Sequence, residues 1–395
     1  MASTVNELKS TGSEPVKENT PKPKSANIEE IMSEEKTKQK KNSPSDTEDF
    51  MDLGDLDFVD HYGDEKIDDK SLLLPENTAP TALNCGFVGL GGGGGKLAKS
   101  FLDIGYSRTI LVNTTPKDQP EDVGPDHFLL LEGADGVGKD VSVGEEILLE
   151  NSTLVEDTLR SKLGKVDWLF VCASGGGGTG SSAASLSDTF ERYLASVQAS
   201  GRVVFIVTKP TSQELLNPTI NQNYSHLLSG VESHPHILID NERQLELLRG
   251  KVGMLGMYPL ANKAFSRMVA QVFKMAAESS PIQSFDTQDL ERCLRSPGRL
   301  FLGTSAVKEF KDDKLGLKIY QGCVERSPCP APSGKPEVGS LLLIVSPDTA
   351  NDPGASNQME SAISYVGGRA KTQFAGVYVR AGIKGLVSIC LMGGM

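Results

Sequence analysis

Between Ser174 and Ser182 the chain reads Gly-Gly-Gly-Gly-Thr-Gly-Ser, residue types suited to holding an anion. Gly176, Gly177 and Gly178 have no side chains, so a polyphosphate can approach the main chain closely there. Thr179 and Ser181 add hydroxyl donors on either side of Gly180. Such groups need elements to aim them. Residues 166–171, Val-Asp-Trp-Leu-Phe-Val, read as a strand buried on both faces. Ala184, Leu186, Phe190, Tyr193, Leu194 and Val197 recur at helical spacing across residues 183–200. A glycine loop between strand and helix directs free N–H groups and the helix dipole at a phosphate. Its strong flanking elements argue against a merely flexible turn.

A second loop lies upstream. Residues 85–90 read as a strand and Gly91, Gly92, Gly93, Gly94 and Gly95 as a loop. From Lys96 to Ile104 a helix is expected, with Leu97, Phe101 and Ile104 on one face. Alone, this pattern fits the dinucleotide fingerprint of an oxidoreductase, which wants an acidic residue at the end of the next strand. That strand, residues 109–112, runs instead into Asn113-Thr114-Thr115-Pro116. A third loop, residues 133–140, nearly spells a Walker P-loop, but Asp140 stands where a hydroxyl should bind Mg2+. A carboxylate there would face the phosphates and repel them. The loop reads as one more backbone nest around a shared nucleotide.

Three glycine-rich loops after successive strands, with Gly-Gly-Gly-Thr-Gly-Ser on the third, resemble the tubulin/FtsZ family of polymerising GTPases. The resemblance runs from about residue 85 to the C-terminus, with the motifs in family order. It implies that Gly91, Gly92, Gly93 and Gly94 form the first phosphate loop, with Lys96 where bacterial members usually carry Asn. Asn113 opens the second loop, in which Thr115 replaces a Mg2+-linked carboxylate. Ala134 and Gly136 fall where the family's Ala-Gly-Gly loop reaches the terminal phosphate. Thr208-Lys209-Pro210 is similar to the sugar loop and Glu214 to the ribose-contacting Glu, while Pro218 stands where the family has Arg. Asn241 matches the Asn that pairs with guanine, and its donor and acceptor suit that base edge. Tyr258 and Asn262, at i and i+4, can stack on the base and pair with it. Tyr258 taken alone fits a core position equally well.

A central helix over residues 256–278 is expected to bury Leu260, Ala264, Met268, Phe273 and Met275 and to end before Pro281. Residues 284–289, Ser-Phe-Asp-Thr-Gln-Asp, resemble the catalytic loop that family members insert into the neighbouring subunit's nucleotide. Two carboxylates cannot bind a phosphate directly, so Asp286 and Asp289 would orient and deprotonate water, or hold a cation that does. Their alternative role is to cap a helix over residues 290–294.

The fold class expected is α/β. A doubly wound parallel-sheet GTP-binding domain spans residues 81–255, a long central helix 256–280, and a smaller α/β C-terminal activation domain 281–395. The smaller domain should hold strands at 300–304, 339–345, 374–379 and 385–391 and a helix at 356–366. The first 80 residues carry 10 Lys and 19 acids, supplying −9 of the net −12, and should form a disordered acidic N-terminal tail. Within it, residues 50–59 alternate acids with large apolar groups, either to dock an adaptor protein or simply as a solvated tail. Six scattered cysteines without a Cys-x-x-Cys pair indicate a reducing compartment and give no metal site. His234 and His236 read as loop residues. No membrane span and no direct nucleic-acid contact are expected, and localisation should be cytoplasmic. The expected cofactors are GTP and GDP with Mg2+, and the expected partner is a second copy, in head-to-tail filaments that hydrolyse GTP at the subunit interface. Thr115, Ser182 (for the last signature glycine), Pro218 and the end at Met395 point to a divergent bacterial, phage or plasmid member. The same changes leave open a relative that assembles without hydrolysis.

Overall fold

Apolar runs become parallel strands where helices cover both faces of a sheet. The computed structural model describes residues 79–132, 136–308, 310–383 and 385–395. The expected tail, with its segment 50–59, and Ala134 in the third loop lie outside the described residues. The strands are β1 Cys85–Leu90, β2 Thr109–Asn113, β3 Phe128–Leu130, β4 Trp168–Ser174, β5 Val203–Lys209, β6 His236–Asp240, β7 Arg299–Val307, β8 Val338–Val345, β9 Thr372–Val379 and β10 Leu386–Gly393. They form one ten-stranded sheet in the order β3-β2-β1-β4-β5-β6-β7-β10-β8-β9. Every pair from β3 to β7 is parallel, β10 runs antiparallel to β7 and β8, and β9 is parallel to β8.

The helices are α1 Gly91–Leu102, α2 Val141–Glu150, α3 Ser152–Leu163, α4 Gly178–Ser181, α5 Ser187–Ser196, α6 Pro218–Val231, α7 Asn241–Leu248, α8 Met254–Ala277, α9 Thr287–Arg295, α10 Leu315–Arg326, α11 Pro347–Ala350 and α12 Pro353–Gly367. Alternate strand residues serve opposite faces. Cys85, Phe87, Phe170 and Cys172 join one core with Phe265 and Phe273 of α8, whereas Val88, Leu90, Val171 and Ala173 join another with Phe190 and Tyr193. Phe87 stacks on Phe101 at 4.1 Å and on Phe170 at 5.1 Å, which seats α1 against the sheet. All six cysteines are buried and none forms a disulfide. Among the described residues no helix is long and apolar enough to cross a membrane.

The expected loop Gly91–Gly95 is the first turn of α1, which begins at Gly91 and not at Lys96. The glycines let α1 touch β4 at backbone distance, since a Cβ on Gly94 would lie 2.3 Å from the Cys172 carbonyl oxygen. The helix expected over 183–200 is a 3-10 turn, Ala183–Leu186, followed by the shorter α5. α8 starts at Met254, and Leu260 and Ala264 are exposed rather than buried. Its core face is Ala261, Phe265, Val269, Val272, Phe273, Met275 and Ala276, because the first turns extend beyond the packed sheet. Helices α2, α3, α6 and α10 had no counterpart in the sequence reading. Pro218 occupies the first position of α6, where its missing N–H costs nothing, behind Asn217 as the cap.

Strand order decides where a ligand can sit. From β1 the chain moves outward to β2 and β3, then returns to β4 on the other side and proceeds to β5 and β6. The connections after β1 and β4 therefore diverge, leaving a crevice at the strand carboxyl ends, the usual ligand position of a doubly wound sheet. Both long glycine runs follow these two strands.

Candidate functional site

The glycines of the two runs have different surroundings. A Cβ on Gly175 would meet Tyr224 at 2.7 Å, one on Gly178 the Asp140 carbonyl at 2.6 Å, and one on Gly180 the Ser174 carbonyl at 2.7 Å. A Cβ on Gly176 or Gly177 would meet no atom within 4 Å. The loop is thus packed at its ends and open in its middle, as a backbone cradle for an anion must be. Gly91, with φ of +68°, completes it from the other strand, since a Cβ there would lie 3.0 Å from the Gly180 nitrogen. The starts of α1 and α4 therefore face each other. In α4 the Thr179 and Gly180 N–H groups precede the first helical bond, Ser181 N–H to the Gly177 carbonyl at 3.3 Å.

The hydroxyls expected to face phosphate also tie the loops to one another. Thr179 and Thr114 share a buried hydrogen bond at 3.0 Å, joining the loops after β4 and β2. Ser181 donates to the Ser174 carbonyl at 3.4 Å, and Ser182 to the Val141 carbonyl at 2.9 Å. The first and last of these residues, Thr114 and Ser182, carried no site role in the sequence reading. Asn113 accepts from the Thr114 N–H and donates to Asp118 Oδ2 at 3.1 Å. Gly136, with φ of +87°, donates its N–H to the Thr114 carbonyl at 3.0 Å and so brings the third loop to the second. Asp140 departs from expectation. Its carboxylate accepts from Ser142 N–H at 2.9 Å and Val143 N–H at 3.2 Å, capping α2, so it is turned to the helix start. Lys96 projects outward, exposed, from α1. A cleft of about 440 Å³ adjoins the cradle between the starts of α2 and α6, lined in part by Lys139, Ser142, Thr219 and Asn223.

The far end of the crevice is built from β5, β6 and the starts of α7 and α8. Glu214 lies in a 3-10 turn, its Oε2 accepting from both the N–H and the hydroxyl of Thr211 at 2.8 Å. Glu242 accepts from the Ser212 N–H at 2.9 Å and so links that turn to α7. Asp240 caps α7 through the Glu242 N–H at 3.0 Å and holds Lys209 at 2.7 Å. This places Asn241 as the first residue of α7, partly buried. Tyr258 is 39% exposed, and burial, followed by the charges of Glu214 and Glu242, pushes its phenol up. Tyr258, Glu214 and the start of α7 therefore lie within electrostatic range of each other. Asn262, one turn further along α8, is half-buried.

Asp286 and Asp289 lie elsewhere. Asp286 caps α9 by accepting from the Asp289 N–H at 3.0 Å, so this helix begins at Thr287 and not near Leu290. Burial, then the Asp286 charge, raises the Asp289 carboxyl above its ordinary range. Tyr378 anchors their loop to the far end of α8, its hydroxyl donating to the Met275 carbonyl at 2.7 Å and accepting from the Phe285 N–H at 3.1 Å. Met275 is 17 residues beyond Tyr258, about 26 Å along the helix. Within one chain the two aspartates and the Tyr258 end of the crevice are kept apart.

No family model matches the chain. It is 25% identical over 243 residues to the cell division protein FtsZ of Buchnera aphidicola subsp. Baizongia pistaciae, covering 59% of each chain. Identity is also 25% over 241 residues with FtsZ 1 of Pyrococcus horikoshii, 59% of this chain and 60% of that protein. The chain thus spans about three fifths of the length of these curated relatives. Its fold is similar to a GTPγS-form protofilament of Bacillus thuringiensis serovar israelensis TubZ, with a TM-score of 0.64 at 18% identity over 81% of this chain and 90% of that one. GTPγS-bound CetZ2 from Haloferax volcanii gives 0.64 at 22% identity, covering 79% and 93%. In the order of its glycine loops and in its doubly wound sheet with added C-terminal strands, the chain is similar to the tubulin/FtsZ-like proteins and shares their fold.

Proposed function

We propose that the chain is a cytoplasmic, filament-forming protein that binds GTP and GDP at the switch point and hydrolyses GTP between subunits. The observation that carries this reading is the open middle of the β4 loop, Gly176 and Gly177, at the strand carboxyl ends. Backbone N–H groups of α1 and α4 would hold the phosphates, Glu214 the ribose, and Asn241, Tyr258 and Asn262 the base. Mg2+ belongs to the reading, since a carboxylate oxygen of Asp118 stands against the first turn of α1 and hard cations take oxygen ligands. When bound, it neutralises phosphate charge. Asp286 and Asp289, remote from the crevice of their own chain, would reach the nucleotide of the next copy in a head-to-tail filament and orient the attacking water there. Residues 81–255 and 281–395 would act as domains joined by the central helix, and segment 50–59 would dock an adaptor.

Assembly without hydrolysis is the second reading, favoured by the commitment of the Asp286 carboxylate to capping α9. One series of measurements separates the two. GTPase activity per molecule should rise steeply with protein concentration as filaments form. Asp289→Ala should still bind GTP and pellet with it, yet turn over ~100- to 10,000-fold more slowly, the usual cost of losing a positioned base. Activity independent of concentration, or an unimpaired variant, would sink the inter-subunit mechanism.

A further inference from the structure

Asp118 is an acidic residue outside the motifs of the phosphate loops. It ends the 3-10 turn Pro116–Asp118 that follows β2, and it is exposed. Its carboxylate rests on the first turn of α1, where a Cβ on Gly92 would lie 2.6 Å from Oδ2 and 3.0 Å from Cγ. Asn113 orients it by donating to the same oxygen at 3.1 Å. Gly92 follows Gly91, whose own Cβ would approach Gly180, so Asp118 stands at the mouth of the cradle. At position 115 the expected carboxylate is replaced by Thr, whose oxygen accepts from the Lys117 N–H at 3.4 Å.

We propose that Asp118 replaces the carboxylate missing at position 115, and that through it this chain links binding of a nucleoside triphosphate to a divalent cation. The inference rests on the nucleotide reading of the cradle. A carboxylate beside a triphosphate repels it when no cation is present. With a cation between them the same oxygen becomes an acceptor for the cation or its water. Asp118 thus weakens nucleotide binding without metal and strengthens it with metal.

The test is GTP affinity of the full chain by titration calorimetry, in Mg2+ and in EDTA, for wild type and Asp118→Asn. Removing Mg2+ should weaken wild-type binding about tenfold or more, each factor of ten corresponding to about 1.4 kcal/mol of lost attraction. Asp118→Asn keeps the shape and the contact with Asn113, and its affinities in Mg2+ and EDTA should be nearly equal. If wild type and variant bind GTP with the same Mg2+ dependence, the assignment of Asp118 is overturned and the nucleotide reading stands. If the wild type binds no GTP under either condition, both are overturned. Because the measured quantity is a ratio within each protein, a loss of stability in the variant cannot imitate the effect.

Discussion

Two glycine runs follow β1 and β4, similar in composition and placed side by side, yet they serve different purposes. After β1, a Cβ on Gly92 would meet Asp118 at 2.6 Å, one on Gly93 would meet Ser174 at 2.6 Å, and one on Gly94 would meet Cys172 at 2.3 Å. These glycines are helical, and they let α1 lie against the sheet. After β4, Gly176 and Gly177 are not helical and face open space. Glycine permits close packing at Gly92, Gly93 and Gly94 in the first run and leaves open space at Gly176 and Gly177 in the second. A string of glycines does not by itself distinguish the two.

The comparison can be broken at Gly177. Its φ of −111° and ψ of 172° are extended and open to any residue, and no atom crowds its Cβ. Gly177→Val should therefore leave unfolding stability within about 0.5 kcal/mol of wild type, while abolishing GTP binding measured by calorimetry. Normal GTP affinity would reduce the loop to a turn. Mixed with Asp289→Ala, this variant should restore hydrolysis, because one supplies an intact crevice and the other an intact aspartate loop.

Gly94→Ala should behave in the opposite way. The added methyl meets a carbonyl oxygen of β4, which cannot rotate aside, so overpacking should cost about 1–3 kcal/mol in urea unfolding. Unchanged stability would mean that α1 does not approach β4 so closely. The smallest effect is expected at Thr179. Thr179→Val keeps the shape but breaks the hydroxyl pair with Thr114, for about 1 kcal/mol of stability and a modest loss of GTP affinity. A change in affinity with no change in stability would show the Thr179 hydroxyl facing the ligand rather than its neighbour.

Much of this was legible in the chain. Strands β1, β2, β4 and the four C-terminal strands are legible as continuous apolar runs, since a strand buried on both faces has no polar side to interrupt it. Asn241 and the Tyr258–Asn262 pair are read from the resemblance to the tubulin/FtsZ family, with the i, i+4 spacing placing Tyr258 and Asn262 on one helix face. Other features were not. Helix α6 was hidden because Pro218 was considered as a missing Arg rather than as a first helical residue. Asp140 was assigned a repulsive role because a sequence does not say which way a carboxylate turns, and here two N–H groups of α2 hold it. Asp118 left only the faint signal of an acid five residues after Asn113, since its contact with Gly92 joins separate elements.

The chain alone carries the local pieces: which apolar runs form strands, which turns are rich in glycine, and where helices can be capped. These depend on interactions a few residues long, and the periodicity of burial records them. Tertiary structure alone decided how the pieces are used. The order β3-β2-β1-β4-β5-β6 puts two glycine runs on either side of one crevice, and paired residues of β1 and β4, such as Gly89 and Cys172, are 83 residues apart in the chain. Packing then fills the space beside Gly94 and leaves it empty beside Gly177. The length of α8 keeps Asp286 and Asp289 away from the Tyr258 end of their own crevice. Which glycine is free and which aspartate is near are properties of distances between segments, and residue types do not encode those until the chain has folded.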